Sequence, residues 1–406
     1  MNPWLTSDDL VASVKRKISF PVSQNTFSDA DILAFANEEM MISQVPSILQ
    51  WHEEYLVSSV TVPLLPSKNR YSIPDRAIGM RLRDIAWSDV TGNVFEMTRV
   101  SADDKAYFQR SVGSNQQVHK FYLEGNDVVI VPNPTPNITG SLIFYIFLRP
   151  NLLVANERAS TIASFSKSIT INNALIAAGD TVVINDITFT AVSGSPGTNE
   201  FQIGATSIDT ATNLAAAISL NGLATASTGS PSTAVCTLTY TDISYDFFTV
   251  STGISISTQT ILNVDNVPAN ITAGSYIDIL QTKPGHKMLK YDILVPSAGV
   301  SSTSISINDS DVPSNMIVGD YVCSQNECII PQIPTDLHNE LAERTCARIL
   351  AAIGDQAGLA ITKGNIQEME QHQATLLDAR VDGAPKKVTA RHSMLRYNKM
   401  GTKRRL

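Results

Sequence analysis

Residues 335–354 read TDLHNELAERTCARILAAIG, and this stretch decides how the rest of the chain is organised. Leu341, Cys346, Ile349, Leu350 and Ile353 recur at helical spacing. Pro334 and Thr335 open the segment and Gly354 closes it. A second helix, NIQEMEQHQATLLDARV (365–381), puts Ile366, Met369, Leu376 and Leu377 on one side. Helices also open the chain. Thr6 or Ser7 caps a helix through Lys17, with Asp8 and Asp9 in its first turn, and Phe20-Pro21 ends it. Ser28 caps SDADILAFANEEMM (28–41), with Asp31 at the capping-box position and Ile32, Phe35, Ala36 and Met40 on one face. A third segment, after Pro46, aligns Ile48, Trp51, His52 and Tyr55. Neither set of short amphipathic helices has enough partners alone. The two ends are therefore expected to pack together, which makes everything between them an insertion.

The middle is patterned for strands. LVSSVTVPLL (56–65) alternates, and YSIPDRAIGMRLRDIAW (71–87) follows with a bend at Pro74. VHKFYLEGNDVVIVPNP (118–134) predicts a hairpin around Gly125-Asn126. SLIFYIFLRPNLLV (141–154) is a continuous apolar run, the pattern of a strand buried on both faces. Further on, SITINNALIAAGDTVVINDITFTAV (168–192) predicts strand, turn, strand, with Asn185-Asp186 as the hairpin turn. TSIDTATNLAAAISL (206–220) is a short helix, and strands return after it. NVPANITAGSYI (266–277) matches DVPSNMIVGDYV (311–322) at a period of 45 residues, sharing Val, Pro, Asn, Gly and Tyr, and AGDTVVI (178–184) echoes their ending. Either similar β-corners recruit the same residues or a small barrel element is duplicated.

The expected architecture is α+β and multidomain. Residues 1–56 supply N-terminal helices of a core helical bundle. Residues 57–157 form a β-sandwich or barrel-like domain. Residues 165–257 form an inserted ββαββ-like module and 258–330 a second inserted β-module. Residues 335–382 supply the C-terminal helices of the bundle, and 383–406 form an extended basic C-terminal arm.

Charge is segregated along this order. The whole chain carries −8, yet residues 386–406 hold eight Lys or Arg and no Asp or Glu, which leaves 22 basic against 38 acidic residues elsewhere. A block of like charge without an apolar period does not fold alone. Met394, Leu395, Tyr397, Met400 and Leu406 are interleaved with the charges, and a purely solvating tail rarely carries so many large apolar side chains. They read as anchors for pockets on a partner, with Arg and Lys engaging acidic groups around them. The chain between Arg158 and Arg344 contains no arginine, and its lysines are Lys167, Lys283, Lys287 and Lys290. Arg76, Arg81 and Arg83 cluster in RAIGMRLRDIAW (76–87). They form either an exposed polar face over a packed one, with Asp84 as a salt-bridge partner, or a stripe facing a subunit neighbour or passing nucleic acid.

The sequence offers little for catalysis. It lacks G-x-S-x-G, Walker A, H-E-x-x-H and G-x-G-x-x-G motifs. His52, His119, His286, His338, His372 and His392 are scattered, although His338 and His372 lie on the two late helices and could face each other. The four cysteines follow no metal spacing and read as reduced thiols of a protein made in a cytosol. No apolar run approaches the length of a membrane span, and the N-terminus lacks a secretory h-region. No enzyme activity, cofactor or metal is expected.

Several stretches together resemble one family. DDLVASVKRKISFPVSQNTFSDADILAFANEEM, YSIPDRAIGMRLRDIAW, FYLEGNDVVIVPNP, the late helices and LRYNKMGTKRRL look like a head-to-tail adaptor of a tailed bacteriophage, also called a connector, head-completion or tail tubular protein. The likeness covers roughly residues 5–155 and 330–406. The 165–257 module separately looks like small β-rich domains of phage tail and baseplate proteins. The resemblance implies a virion protein of the head–tail junction, synthesised in the host cytoplasm. It would form a homo-oligomeric ring, commonly a dodecamer, between the portal protein and a tail or nozzle protein. Genomic DNA would pass through the ring during packaging and ejection without sequence-specific binding, and no membrane would be involved. By this resemblance the portal-docking residues are Arg391, Met394, Leu395, Arg396, Tyr397, Lys399, Lys403, Arg404, Arg405 and Leu406. The long middle insertion departs from simpler members of the family. A competing reading is a tail fibre or adhesin-like protein whose β-modules bind a host surface glycan.

Overall fold

The structure, a computed structural model, describes residues 5–18, 27–104, 120–131, 140–228, 233–283 and 286–376. The 383–406 arm lies outside the described residues. The described chain divides into two compact units. One takes the residues up to Gln44 and those from Pro150 to Ile366. The other takes Val45 to Arg149 and the residues from Gln367 onward.

Helix α1 (Ser7–Ile18) begins with Asp8 and Asp9 and ends with Lys15, Arg16 and Lys17, each set favourably placed in the helix dipole. Of the two candidate caps, Thr6 does the capping: its hydroxyl accepts from Asp9 N, while the Asp9 carboxylate accepts from Thr6 N and Oγ1. Ser7 turns inward and donates to Asn156 Oδ1 at 2.8 Å. Helix α2 (Asp29–Glu39) starts at a capping box between Ser28 and Asp31. The sequence predicts a break before the next helix, but π-helical Met40–Gln44 carries the chain without interruption into α3 (Val45–Trp51). Pro46 has no N–H, and its ring would crowd the carbonyl four residues back. The widened turn just ahead of it relieves that conflict.

In the second unit, β1 (Val57–Pro63), β2 (Arg70–Ser72), β3 (Ala77–Ser88), β4 (Val94–Glu96), β5 (Thr98–Arg99), β6 (Lys120–Glu124), β7 (Asp127–Val131) and β8 (Ser141–Leu148) build two four-stranded sheets. Their orders are β1-β8-β3-β4 and β2-β7-β6-β5. The two sheets share one core that includes Tyr71, Ile85, Trp87, Phe121, Val128, Ile130, Phe144 and Ile146, so the unit is a β-sandwich. The β6–β7 hairpin turns at Gly125-Asn126, where only Gly125 has positive φ (62°), the pattern of a type II′ turn. Strand β8 differs from the expectation of burial on both faces. Leu142, Phe144 and Ile146 enter the core, while Ile143 and Tyr145 are half-covered.

The first unit contains β9 (Leu152–Leu153), β10 (Ala159–Ile171), β11 (Thr181–Ile184), β12 (Ile187–Val192), β13 (Glu200–Gln202), α4 (Ser207–Asn221), β14 (Thr225–Ser227), β15 (Val235–Tyr240), β16 (Phe247–Thr249), β17 (Ile254–Ile256), β18 (Gln259–Val264), β19 (Tyr276–Leu280), β20 (Met288–Leu294), β21 (Ser304–Asn308), β22 (Tyr321–Ser324) and β23 (Glu327–Cys328). Helices α5 (His338–Ile353) and α6 (Gln356–Leu376) follow, the last turns of α6 belonging to the other unit. Asn185 and Asp186, with φ of 46° and 64°, form the expected hairpin turn between β11 and β12, here of type I′.

Strand β10 pairs with β15, β17, β18 and β22. It sends Ile162 and Phe165 into a core with Tyr240, Leu262, Ile277, Ile305 and Val322. It sends Ile169 and Ile171 into another with Phe189, Phe201, Leu214, Cys236 and Leu238. A module boundary at 165 therefore falls inside a strand that both β-modules use.

The sequence repeat has a local physical cause. At 272–275 and 317–320 the chain makes the same corner. The N–H of Thr272 donates to Ser275 Oγ (3.1 Å) and that of Ile317 to Asp320 Oδ2 (2.8 Å). Ser275 N and Asp320 N donate back to the carbonyls of Thr272 and Ile317. Gly274 and Gly319 sit at φ 81° and 97°. Ala177, Gly179 and Asp180 repeat this arrangement ahead of β11.

Helices α1 and α2 pack on α5, which realises the expected joining of the two ends. Leu10, Val14, Ile32, Leu33, Ala36, Leu341, Cys346 and Ile349 are buried here. Arg348 of α5 reaches Glu39 and, at 2.8 Å, Glu38. Glu340 accepts from Gln44 Nε2 (3.0 Å) and Arg344 Nε (2.8 Å). Asn37 exchanges two hydrogen bonds with the backbone of Leu153 and so fixes α2 to β9.

Asp278 is the central polar group of this unit. Fully buried on β19, it accepts from Asn151 Nδ2 (2.7 Å), Asp292 N (2.9 Å) and Asn326 N (3.0 Å). Asp292 and Asn326 both have positive φ, so one carboxylate holds two costly backbone conformations. Replacing Asp278 with Ala strands three donors, and we expect a loss of about 3 kcal/mol in urea unfolding monitored by circular dichroism. A loss below about 1 kcal/mol would show that water satisfies these donors equally well.

Candidate functional site

The arginine cluster of β3 was the one candidate site in the folded body. Its geometry comes from irregular pairing with β8. Ala77 lies opposite Leu148, Leu82 opposite Ile146 and Asp84 opposite Tyr145, so residues 78–81 and then Arg83 bulge out of register. Gly79 and Met80 take left-handed conformations (φ 56° and 54°) to make the first bulge. Arg81 and Arg83 both emerge on the exposed side. The Arg81 guanidinium lies 5.2 Å from the centroid of the Phe147 ring, a cation–π contact. Arg83 Nη2 pairs with Glu54 Oε1 at 2.9 Å, across exposed surface. Asp84 is not its partner and instead accepts from Ile85 N. Arg76 stands apart. It is 7% exposed, and its carbonyl accepts from Arg149 N. The structure thus brings Arg81 and Arg83 together and buries Arg76.

An adjoining feature of the same strand was missed in the sequence. The β3–β4 hairpin exposes Val90, Val94 and Phe95, and Phe95 stacks on Trp87 at 5.2 Å. Among the described residues, strand β4 is the edge of its sheet. Asp89 shapes the tip by accepting from Thr91 N, Thr91 Oγ1, Asn93 N and Asn93 Nδ2. These bonds hold its carboxyl below the usual range. The signal was present in WSDVTGNVF (87–95), where apolar residues flank a D-x-T-G turn with no polar alternation. An exposed apolar edge strand is a template for another chain.

The docking-arm residues Arg391, Met394, Leu395, Arg396, Tyr397, Lys399, Lys403, Arg404, Arg405 and Leu406 lie outside the described residues. No protein-family model matches the chain, and no curated protein matches it either. Among the described residues, no group of three or more His, Cys, Asp or Glu side chains could hold a metal ion. No described helix is long and apolar enough to cross a membrane.

Burial shifts several titratable groups inside the fold. Cys236, Cys323, Cys328 and Cys346 are buried free thiols, and burial pushes Cys236 and Cys346 up to about 12. His119 and His392 lie outside the described residues, and His372 is exposed on α6. His338 is buried at the start of α5. Its Nδ1 accepts from Leu5 N at 3.1 Å, and Nε2 lies 3.3 Å from the Ile333 carbonyl, to which it donates in that tautomer. Burial lowers its pKa from 6.5 to about 4, and His286 adds to the depression. A histidine kept neutral in the fold stabilises it above pH 6.5, and that contribution is lost as pH falls from 6.5 towards 4.

Two outcomes are expected. Urea unfolding at pH 7 and pH 5 should show about 2 kcal/mol less penalty on acidification in His338→Gln than in the parent. An unchanged pH dependence would place the titration elsewhere. Arg83→Ala should change stability by less than about 0.5 kcal/mol, because exposed ion pairs contribute little. A larger loss would make the Glu54 pair structural.

Proposed function

We propose that this protein is a structural component of a phage virion, a ring-forming adaptor that joins the capsid portal to the tail and leaves a channel for the genome. The observation that carries this reading is the segregation of charge: eight basic residues and no acidic ones in 386–406, against a strongly acidic remainder. Cationic, anchor-bearing polypeptide on an acidic body suits docking on a neighbouring oligomer. Pairing between Arg or Lys and acidic groups gives direction, and Met394, Leu395, Tyr397 and Leu406 fill pockets. In a ring the arms act together, so a modest contact per arm becomes a lasting attachment. An acidic wall also suits a DNA channel, since no counterion release rewards contact with passing phosphates. The exposed Val90–Phe95 edge suits contact with the next subunit of the ring.

Two experiments test this. Deleting residues 386–406 should leave the thermal transition unchanged and abolish joining to DNA-filled heads in an in vitro assembly assay. Efficient joining by the truncated chain would remove the docking role. Val94→Lys should preserve the monomer fold and prevent rings on heads by negative-stain microscopy. Intact rings would place the subunit contact elsewhere.

A further inference from the structure

The arginine-free middle of the chain holds four lysines, and the adaptor reading uses none of them. One of the four is not at the surface. Lys167, within β10, is 4% exposed, and its ammonium pairs with the Asp309 carboxylate just after β21. Asp309 also accepts from Thr260 Oγ1 of β18 at 2.8 Å. An ammonium carries three donors, and Asp309 occupies one of them. The pair lies on the wall of an open cleft of about 480 Å³, a volume within the range of small-molecule sites. The opposite contribution is aromatic. Tyr245 stacks nearly parallel on buried Tyr240, with ring centroids 5.3 Å apart and planes 9° apart, and Phe247 packs against the same ring at 5.4 Å. Tyr245 and Phe247 stay half-exposed and line the cleft. The cleft therefore sits at the seam of the two β-modules, with aromatics from one and Thr260 and Asp309 from the other.

We propose that this cleft binds a neutral saccharide. A sugar presents adjacent hydroxyls that both donate and accept. Lys167 supplies only donors and Asp309 only acceptors, so one diol can bridge the pair. The C–H face of a pyranose is apolar and matches an aromatic surface. The charge count selects against other ligands. Asp246 and Asp309 face a single ammonium in the lining, which disfavours phosphates, sulfates and nucleic acid. A cation would meet Lys167. The proposal is independent of the arm and of ring formation.

Methyl NMR of the full chain tests it, with isoleucine δ1 labels, because Ile243 and Ile256 line the cleft. The probes are glucose, galactose, N-acetylglucosamine and maltose, with N-acetylneuraminic acid and glucosamine as charged counterparts. At least one neutral sugar should shift both methyls, with a Kd of about 1–10 mM. Ser314→Trp changes an exposed lining residue and should weaken that binding at least about tenfold while the other methyl signals stay in place. Tyr245→Ala should weaken it similarly. Absence of shifts with every neutral probe, shifts that survive Ser314→Trp, or binding of the charged sugars alone would each overturn the assignment.

Discussion

One strand constrains the middle of this molecule more than any other element. β10 is thirteen residues long and pairs with four other strands. Its two ends serve different cores, through Ile162 and Phe165 at one and Ile169 and Ile171 at the other. A one-residue slip in its register would turn all four of these side chains out of their cores. Its polar residues are equally committed. Ser166 shares a hydrogen bond with Thr239 and accepts from Asn263 Nδ2, and Lys167 reaches Asp309. The two β-modules are thus one body, and the cleft between them is a fixed feature of it.

Around that strand, buried carboxylates do what small side chains cannot. Asp278 satisfies backbone donors in two left-handed positions, and Asp320 accepts from Thr282 N and Ile317 N. Burial raises the Asp320 pKa, while its backbone bonds oppose that shift. In a segment with so few Lys and Arg side chains, these two carboxylates turn inward to backbone amides. Among the described residues of the sandwich, the apolar Val90–Phe95 edge and the Arg81–Arg83 bulge are exposed.

Much of the fold was legible in the sequence because it rests on local chemistry. The Ser28–Asp31 cap, the Asn185-Asp186 and Gly125-Asn126 turns and the Gly274/Gly319 corners are written in adjacent residues. The helical stripe of 335–354 likewise announced partners at the other end of the chain. What was hidden depends on long-range register. Nothing local to Ala159–Ile171 says that it will serve two cores. Alternation already placed Arg81 and Arg83 on one exposed face, but neither the bulges beside them nor the burial of Arg76 follow from it, because bulges break the period on which alternation rests. The continuation of α2 into α3 through Pro46 was missed because a proline reads as a stop unless a π-turn precedes it. The Lys167–Asp309 pair joins residues 142 positions apart.

Native-state hydrogen exchange, read by mass spectrometry at single-residue resolution along residues 159–171, tests the shared-strand account most directly. If β10 fuses the modules, the amides of Ser160 through Thr170 open with one common free energy, shared by β15 and β18. A split near Phe165, with the two halves opening at separate free energies alongside their own modules, would contradict it.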